Sequence, residues 1–411
     1  MRQTLAGNRH LRFNPRMNSG ESLYIWQRPD WPHWRYDLAA LAGPLAEVSR
    51  AQGLLLGRLA DTGLALREQA SLATLTDDVV NTSQIEGETL SVQSVRSSLA
   101  RRLGVDIGAI APVDRHVEGI VEMVLDATSH CQQPLTAGRL FGWHAALFPT
   151  GYAGLSRITT GQWRSDAGGP MQVVSGAINR RRVHFEAPPA VRLPEEMDRF
   201  LAWANSQTSE PALVKAGLAH LWFVTLHPFD DGNGRIARAV GDLFLARADG
   251  SSQRFYSLSA QIQRDRKAYY DILERTQKGP LDVTAWLHWF LQTLGHAIDS
   301  AQSTLDTVLF RARFWQRWAG TVFNERQVKL LNRLLDGFDG KLTSSRWASM
   351  AHCSPDTALR DINQLVALGI LQKMPGGGRS TGYELAPPRS PYRQNSQRTH
   401  NYRQKSSESP E

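Results

Sequence analysis

A chain of 411 residues with 41% hydrophobic and 21% charged residues is long enough for two or three domains, which excludes wholesale disorder. Its two cysteines, Cys131 and Cys353, lie far apart, which excludes a disulfide framework or a spaced-cysteine zinc site and fits a reducing cytoplasm. The formal charge of +8 sits mostly at the ends: residues 1–22 hold four Arg against one Glu, and residues 387–411 hold four Arg and one Lys against two Glu. The body is therefore near neutral, and the charge makes no case for nucleic acid. Both tails are expected to be disordered, and Met17 is an alternative start. No apolar stretch follows the N-terminal arginines, so no secretory signal is expected. The longest apolar run, 211–229, contains Lys215 and His220 and suits a buried core helix better than a membrane span.

Along the chain, Tyr24, Trp26, Trp31, Trp34 and Tyr36 form an aromatic cluster that predicts a segment packed onto the body. From Leu38 to Leu103 apolar residues recur at helical spacing, for example Leu72, Leu75 and Val79. Leu135 to Phe148 is a further helix. Two extended runs, Met171 to Gly176 and Arg182 to Phe185, predict a β-hairpin that Pro188 and Pro189 close off. Helices resume at Pro194, with the apolar one at 211–226, then Arg264 to Leu273 and Leu281 to Leu294. Beyond Asn324, helices at Gln327–Leu335, Ser344–Ala351 and Pro355–Leu368, the last capped by Ser354, precede a hairpin between Lys373 and Leu385. That order is the outline of a winged helix.

The segment from His227 to Arg238 concentrates the chemistry: His-Pro-Phe-Asp-Asp-Gly-Asn-Gly-Arg-Ile-Ala-Arg. It follows a buried helix and opens another. Backbone N–H groups of Gly232, Asn233 and Gly234 at a helix start form an anion nest, and Arg235 and Arg238, three apart, face the same anion. Asp231 is a hard oxygen ligand for a magnesium ion shared with phosphates, and His227 stands at the loop entry as a general base. Each feature alone is commonplace, since a lone His after an apolar helix is more often a core residue. Together they make a phosphoryl- or nucleotidyl-transfer site, and eight such positions coincide by chance on the order of once in ten million chains or fewer.

The segment resembles the Fic-family motif, His-x-Phe-x-Asp/Glu-Gly-Asn-Gly/Lys-Arg-x-x-Arg, at every fixed position. The likeness extends over Tyr24 to Leu385 and includes Trp26–Pro29, Trp143-His144, Gly161–Arg164 and Tyr269-Tyr270. It implies a mainly α fold in three parts: an N-terminal helical regulatory domain (23–110), a Fic core with a small β-hairpin flap (111–320) and a C-terminal winged helix-turn-helix (321–386). It further implies a protein adenylyltransferase that moves AMP from ATP to a Tyr, Thr or Ser hydroxyl. His227 would be the base and Asp231 the Mg²⁺ ligand. Gly232, Asn233, Gly234, Arg235 and Arg238 would hold the ATP phosphates, and Phe229 would anchor the loop in the core. The hairpin, with Val173, Val174 and Ser175, would dock the target as an added strand. Gly234 stands where Doc-type kinases have Lys, which favours AMP transfer, although phosphocholine transfer occurs on the same fold.

The family's inhibitory pattern, Ser/Thr-x-x-x-Glu-Gly/Asn, is matched by Thr82, Glu86 and Gly87. Alone it reads as a helix end with Gly87 at its C-cap. Beside a complete motif it implies that Glu86 pairs with Arg238 and keeps the enzyme at rest. The expected partners are a target protein, other copies through self-modification, and a second copy in a homodimer. Residues 324–386 hold eight basic and six acidic side chains, so DNA ranks below dimerisation or partner docking for the winged helix. No membrane contact is expected. The alternatives are a DNA-binding regulator whose Fic domain senses nucleotide, a Fic enzyme that removes AMP, and a metal hydrolase using His220, His227, Asp230 and Asp231. The last is disfavoured, because His220 lies about 10 Å of helical rise before His227.

Overall fold

The computed structural model describes residues 24–107, 111–176, 180–335, 341–375 and 381–387. The tails expected to be disordered fall, but for Pro387, outside the described residues, as do the hairpin tip at 177–179 and Arg379. The described residues are mainly helical, with three two-stranded antiparallel sheets among them. They divide into two compact units, 1–303 and 304–411, and the dividing point falls inside one long helix, Thr284–Arg317.

In the first unit the chain enters through the aromatic cluster. The Trp31 and Trp34 rings meet each other at 4.9 Å and both meet Trp222. Helix α1 (Leu38–Ala60) starts where the Asp37 carboxylate accepts the N–H groups of Ala39 and Ala40. Helices α2 (Leu64–Ile85) and α3 (Val92–Leu103) complete the helical stretch expected up to Leu103. Helix α4 (Arg115–Ser129) is not singled out by the sequence reading, although its apolar face is well ordered: Val117, Ile120, Val121 and Val124 are all buried. Helices α5 (Ala137–Leu147) and α6 (Leu193–Asn205) flank the hairpin of β3 (Gln172–Ser175) and β4 (Arg182–Glu186). A smaller hairpin, β1 (Tyr152–Ala153) with β2 (Ser156–Arg157), precedes it.

The centre of this unit is the antiparallel pair α7 (Ala212–Leu226) and α8 (Asn233–Asp249). From Leu213 to Leu226 every residue of α7 but Lys215 is buried, so the helix has no solvent face and its apolar composition runs all the way round. Each fully buried Leu, Val or Phe contributes about 1.5–3 kcal/mol, so this pair carries much of the fold's stability. The helix expected at 264–273 is α10 (Arg266–Gln277), and a separate short helix, α9 (Leu258–Arg264), precedes it across a break at Asp265. Helix α11 (Thr284–Arg317) runs far past the end expected at Leu294.

The second unit comprises α12 (Glu325–Leu335), α13 (Ser344–Ala351), α14 (Pro355–Ala367) and the hairpin β5 (Leu371–Lys373) with β6 (Tyr383–Leu385). Ser354 caps α14 by accepting the Thr357 N–H. Trp347, Leu331, Ile362 and Leu365 lie at its core. On the third helix, Asp361 is buried and bonds Arg326 and Asn324.

The crossing of α4 and α5 sets a sharp steric limit. A Cβ added at Gly119 would lie 1.8 Å from the carbonyl oxygen of Ala146. Gly119→Ala is expected to destabilise the protein by about 1–3 kcal/mol despite alanine's higher helix propensity. Gly142→Ala, where nothing lies within 4 Å, should be neutral or stabilising. Parallel thermal melts of the two variants check this.

Candidate active site

The loop between α7 and α8 is shaped by His227 and Pro228. Proline cannot continue a helix, and His227 turns the chain out with a left-handed φ of 49°. That conformation costs a non-glycine residue roughly 1 kcal/mol or more, so neighbours must hold it. Arg164 does so. Its Nε donates to the His227 carbonyl at 2.8 Å, and its backbone N–H donates to the Pro228 carbonyl at 2.9 Å. Arg164 is itself buried and paired with Asp166 at 2.7 Å. The His227 Nδ1 lies 2.7 Å from the Val224 carbonyl oxygen. A carbonyl only accepts, so Nδ1 carries the proton and Nε2 offers a free lone pair. Burial pushes His227 below the ordinary imidazole value of 6.5, which keeps the ring neutral at physiological pH.

Phe229 fixes the next turn. Its buried ring stacks on His144, with centroids 4.2 Å apart and planes 7° apart. The Asn233 side chain closes the loop. Its Oδ1 accepts the Phe229 N–H at 2.9 Å and its Nδ2 donates to the Phe229 carbonyl at 2.8 Å. Asp230 is held by the Thr159 N–H at 2.9 Å. Gly232 is required twice over: its φ is +78°, and a Cβ there would lie 2.9 Å from the Phe148 ring.

Helix α8 then begins at Asn233 without a side-chain cap. Its first-turn N–H groups have no acceptor within the helix, and the helix dipole makes this end positive. The Gly232 N–H is not among the open donors, because the Asp231 carboxylate accepts it. Asp231 is exposed at the loop surface. Arg235 and Arg238 follow on one face, only 3% and 2% exposed. Each has one buried donor without a partner, Nε of Arg235 and Nη1 of Arg238. A buried donor left unpaired costs about 1–3 kcal/mol, so the site is two donors short of satisfaction.

The other donors of Arg238 are taken by the end of α2 and the Glu86 that follows it. Arg238 donates from Nε to the Thr82 hydroxyl at 2.7 Å, and from Nη2 to the Thr82 carbonyl at 2.8 Å and to Glu86 Oε1 at 2.7 Å. Gly87, at φ +88°, turns the chain, and Glu88 reaches Arg235 at 2.8 Å. Gly234 lies under this contact: a Cβ there would sit 2.2 Å from Glu86 Oε1. The sequence reading missed Glu88, Arg164 and the loop-closing role of Asn233. Only Glu88 had a local signal, as a second carboxylate just past the Gly87 turn.

The cleft beside this loop has a volume of about 610 Å³ and is lined by His227, Asp231, Gly234, Glu86, Tyr270 and the hairpin residues Val173 to Ser175. Val174 is 43% exposed and Val173 half-buried. Among the described residues the β3–β4 sheet has two strands only, so β3 keeps an edge without a neighbouring strand there. A chain of contacts pins the hairpin to α10. Ser175 Oγ lies 2.6 Å from His184 Nε2, and His184 Nδ1 lies 2.6 Å from Glu274 Oε2. Burial alone would raise the Glu274 carboxyl, but bonds from Lys278, His184 and Arg182 outweigh it and bring it down to about 2. His220 is not part of the site. It is fully buried and bonds the Tyr269 hydroxyl at 2.9 Å. Among the described residues no group of three or more His, Cys, Asp or Glu could hold a metal by itself.

Residues 134–245 match the model of the Fic/DOC family. The chain carries a Fic domain. Residues 24–105 match a domain family of unknown function, DUF4172. The protein adenylyltransferase Fic of Drosophila ananassae is 26% identical over 261 residues, which is 62% of this chain and 46% of that protein. The protein of the same name from Drosophila mojavensis is 29% identical over 231 residues, 55% of this chain and 39% of that protein. The chain thus spans less than half the length of these curated relatives. A solved Fic family protein from Desulfovibrio desulfuricans G20 aligns with a TM-score of 0.48 at 21% identity, covering 84% of this chain and 96% of that one. The Fic domain supplies His227 to Arg238, while Thr82, Glu86 and Glu88 come from the preceding domain.

Asn233→Ala should cost about 2 kcal/mol or more, because it strands both the N–H and the carbonyl of buried Phe229. A lowered melting temperature checks this; an unchanged one would mean the loop holds its shape without the clamp.

Proposed function

We propose that the protein is an auto-inhibited adenylyltransferase that transfers AMP from ATP to a Ser, Thr or Tyr hydroxyl of a target protein. One observation carries this reading. Two buried arginines, each with an unpaired donor, face an uncapped helix start beside a neutral imidazole whose Nε2 is free. Open donors at that density suit an oligophosphate. The relatives named protein adenylyltransferase support the same class.

In the proposed step the target hydroxyl gives its proton to His227 Nε2 while its oxygen attacks the α-phosphorus in line. The bond from that phosphorus to the bridging oxygen breaks, and pyrophosphate leaves. The first-turn N–H groups of α8 with Arg235 and Arg238 hold the phosphate charge, and Arg164 keeps the imidazole on line by fixing the His227 carbonyl. Asp231, exposed beside the helix start, would hold Mg²⁺; among the described residues no cluster of acids or histidines stands with it, so phosphate oxygens and water would complete the shell. That ion supplies charge neutralisation on the leaving group. The free edge of β3 would take the target's backbone as an added strand. Self-modification between copies follows from the same geometry.

Glu86 is the inhibitory group in this reading. Its carboxylate occupies the Nη2 of Arg238 and crowds the space over Gly234, where phosphate would lie. A protein that only sensed nucleotide would need the arginines but no base. The anchored, proton-free Nε2 of His227 therefore favours transfer. In the second unit, Asp361 ties α14 to Arg326 and Asn324, which supports partner docking over DNA binding.

With α-labelled ATP, Mg²⁺ and cell lysate, Glu86→Gly is expected to raise protein labelling several-fold over the unaltered chain, and Glu86→Gly/His227→Ala to abolish it. Equal labelling with and without Glu86 would overturn the inhibitory role, and label from γ-labelled ATP would replace AMP transfer with phosphoryl transfer. The pH profile gives a second check. The base must be unprotonated, and His227 titrates below the ordinary 6.5. The rate of Glu86→Gly should therefore stay level down through neutral pH and fall only below that value.

A further inference from the structure

The turn after α2 carries two carboxylates, and each meets a different arginine of α8. We propose that Glu88 is a second latch, closing Arg235 as Glu86 closes Arg238, and that His116 holds this latch shut. The proposal rests on the reading that both arginines serve phosphate.

Arg235 is only 3% exposed, and its guanidinium lies over the Phe148 ring at 5.2 Å. Its Nη1 donates to Glu88 Oε2 at 2.8 Å. A buried guanidinium needs a counter-charge, and Glu88 is the one ion-pair partner found for it among the described residues. As long as that carboxylate stays, an incoming phosphate meets a cation already neutralised. Removing Glu86 alone frees Arg238 and leaves this second obstacle in place.

Glu88 is built to be held and to leave. On its other side His116, in the first turn of α4, puts Nε2 3.2 Å from the same Oε2. His116 and Arg235 together keep the Glu88 carboxyl below its usual range, so it stays charged. Its side chain is nevertheless 38% exposed, against 3% for that of Arg235. A separate cavity of about 350 Å³, lined by Glu88, Arg115, His116, Tyr152 and Asp231, opens beside it. The carboxylate can swing into that space while the arginine stays where it is. Backbone geometry makes the two latches one device. The N–H groups of Glu86 and Glu88 both donate to the Ser83 carbonyl at 3.0 Å, so movement of this turn displaces both acids together.

The test is ATP affinity by calorimetry with Mg²⁺, on the full chain, for Glu86→Gly, Glu86→Gly/Glu88→Gln, Glu86→Gly/His116→Ala and Glu86→Gly/Arg235→Ala, with a melt of each. Glutamine keeps the shape of Glu88 without its charge. The proposal predicts about three- to tenfold tighter binding for the Glu88→Gln double variant than for Glu86→Gly, the scale of one half-buried ion pair. It predicts a smaller gain in the same direction for His116→Ala, and loss of binding for Arg235→Ala. If Arg235→Ala loses binding but Glu88→Gln leaves it unchanged, Glu88 is no latch. If Glu88→Gln weakens binding, Glu88 orients Arg235 for the phosphate and the proposal is overturned. If Arg235→Ala binds as well as Glu86→Gly, or no folded variant binds ATP, the phosphate reading itself fails and the latch with it.

Discussion

A buried guanidinium left without a counter-charge is among the costliest things a protein can contain, and Arg238, buried in the first unit, meets that demand with Glu86 at 2.7 Å. Its side chain is 2% exposed, at the crossing of the two most buried helices. Taking one partner from a buried ion pair costs about 3–5 kcal/mol when nothing replaces it. Some anion must therefore sit against Arg238 in every stable state. In this structure it is the Glu86 carboxylate, with Thr82 satisfying two further donor contacts. Under the proposed function, a nucleotide phosphate is the other anion. Inhibition then needs no separate mechanism, since both anions answer one electrostatic demand and exclude each other.

The rest of the site follows from holding that cation still. Helix α7 is apolar on all sides because it packs between other helices, and its burial carries α8 and the arginines into the interior. The loop joining the two helices cannot relax toward solvent. Phe229 is locked by stacking on His144, and Asn233 bonds both backbone groups of Phe229. His227 keeps a left-handed backbone because Arg164 grips its carbonyl from outside the motif. The proton held on His227 Nδ1 and the uncapped start of α8 are two results of the same rigid turn.

Two domains that match different families meet in one site. His227, the start of α8 and the two arginines lie in the Fic domain, and the acids that cover the arginines lie in the region 24–105. Helix α2 is also tied down away from the cleft: Ser257 donates to Asp78 on α2 at 2.6 Å. Burial and its acidic neighbour Asp78 raise the Asp242 carboxyl well above its usual range. Helix α2 is thus tied to the core one turn before Thr82, which fixes where Glu86 and Glu88 can reach.

From residue order alone came the mainly helical class, the buried helix ahead of His227, the hairpin at 172–186 and the boundaries of α13. These are local: periodicity, a proline after a histidine and paired glycines at a helix start are all written within a dozen residues. The chemical character of the 227–238 loop was legible for the same reason, since its groups lie on consecutive turns of one chain. Helix α4 and the true length of α11 were not, because nothing next to them in the chain marks them strongly. Nor could any local pattern tell that Arg235 answers to Glu88 and His116, that Arg164 steadies His227, or that Gly234 is empty to make room for Glu86. Those pairings span from 63 to about 150 residues and exist only once packing has closed the space between them. The sequence by itself determined which groups could do the chemistry. Tertiary structure alone decided which of their charges are already spoken for, because burial is what makes each buried cation demand a partner and geometry limits which acid can reach it.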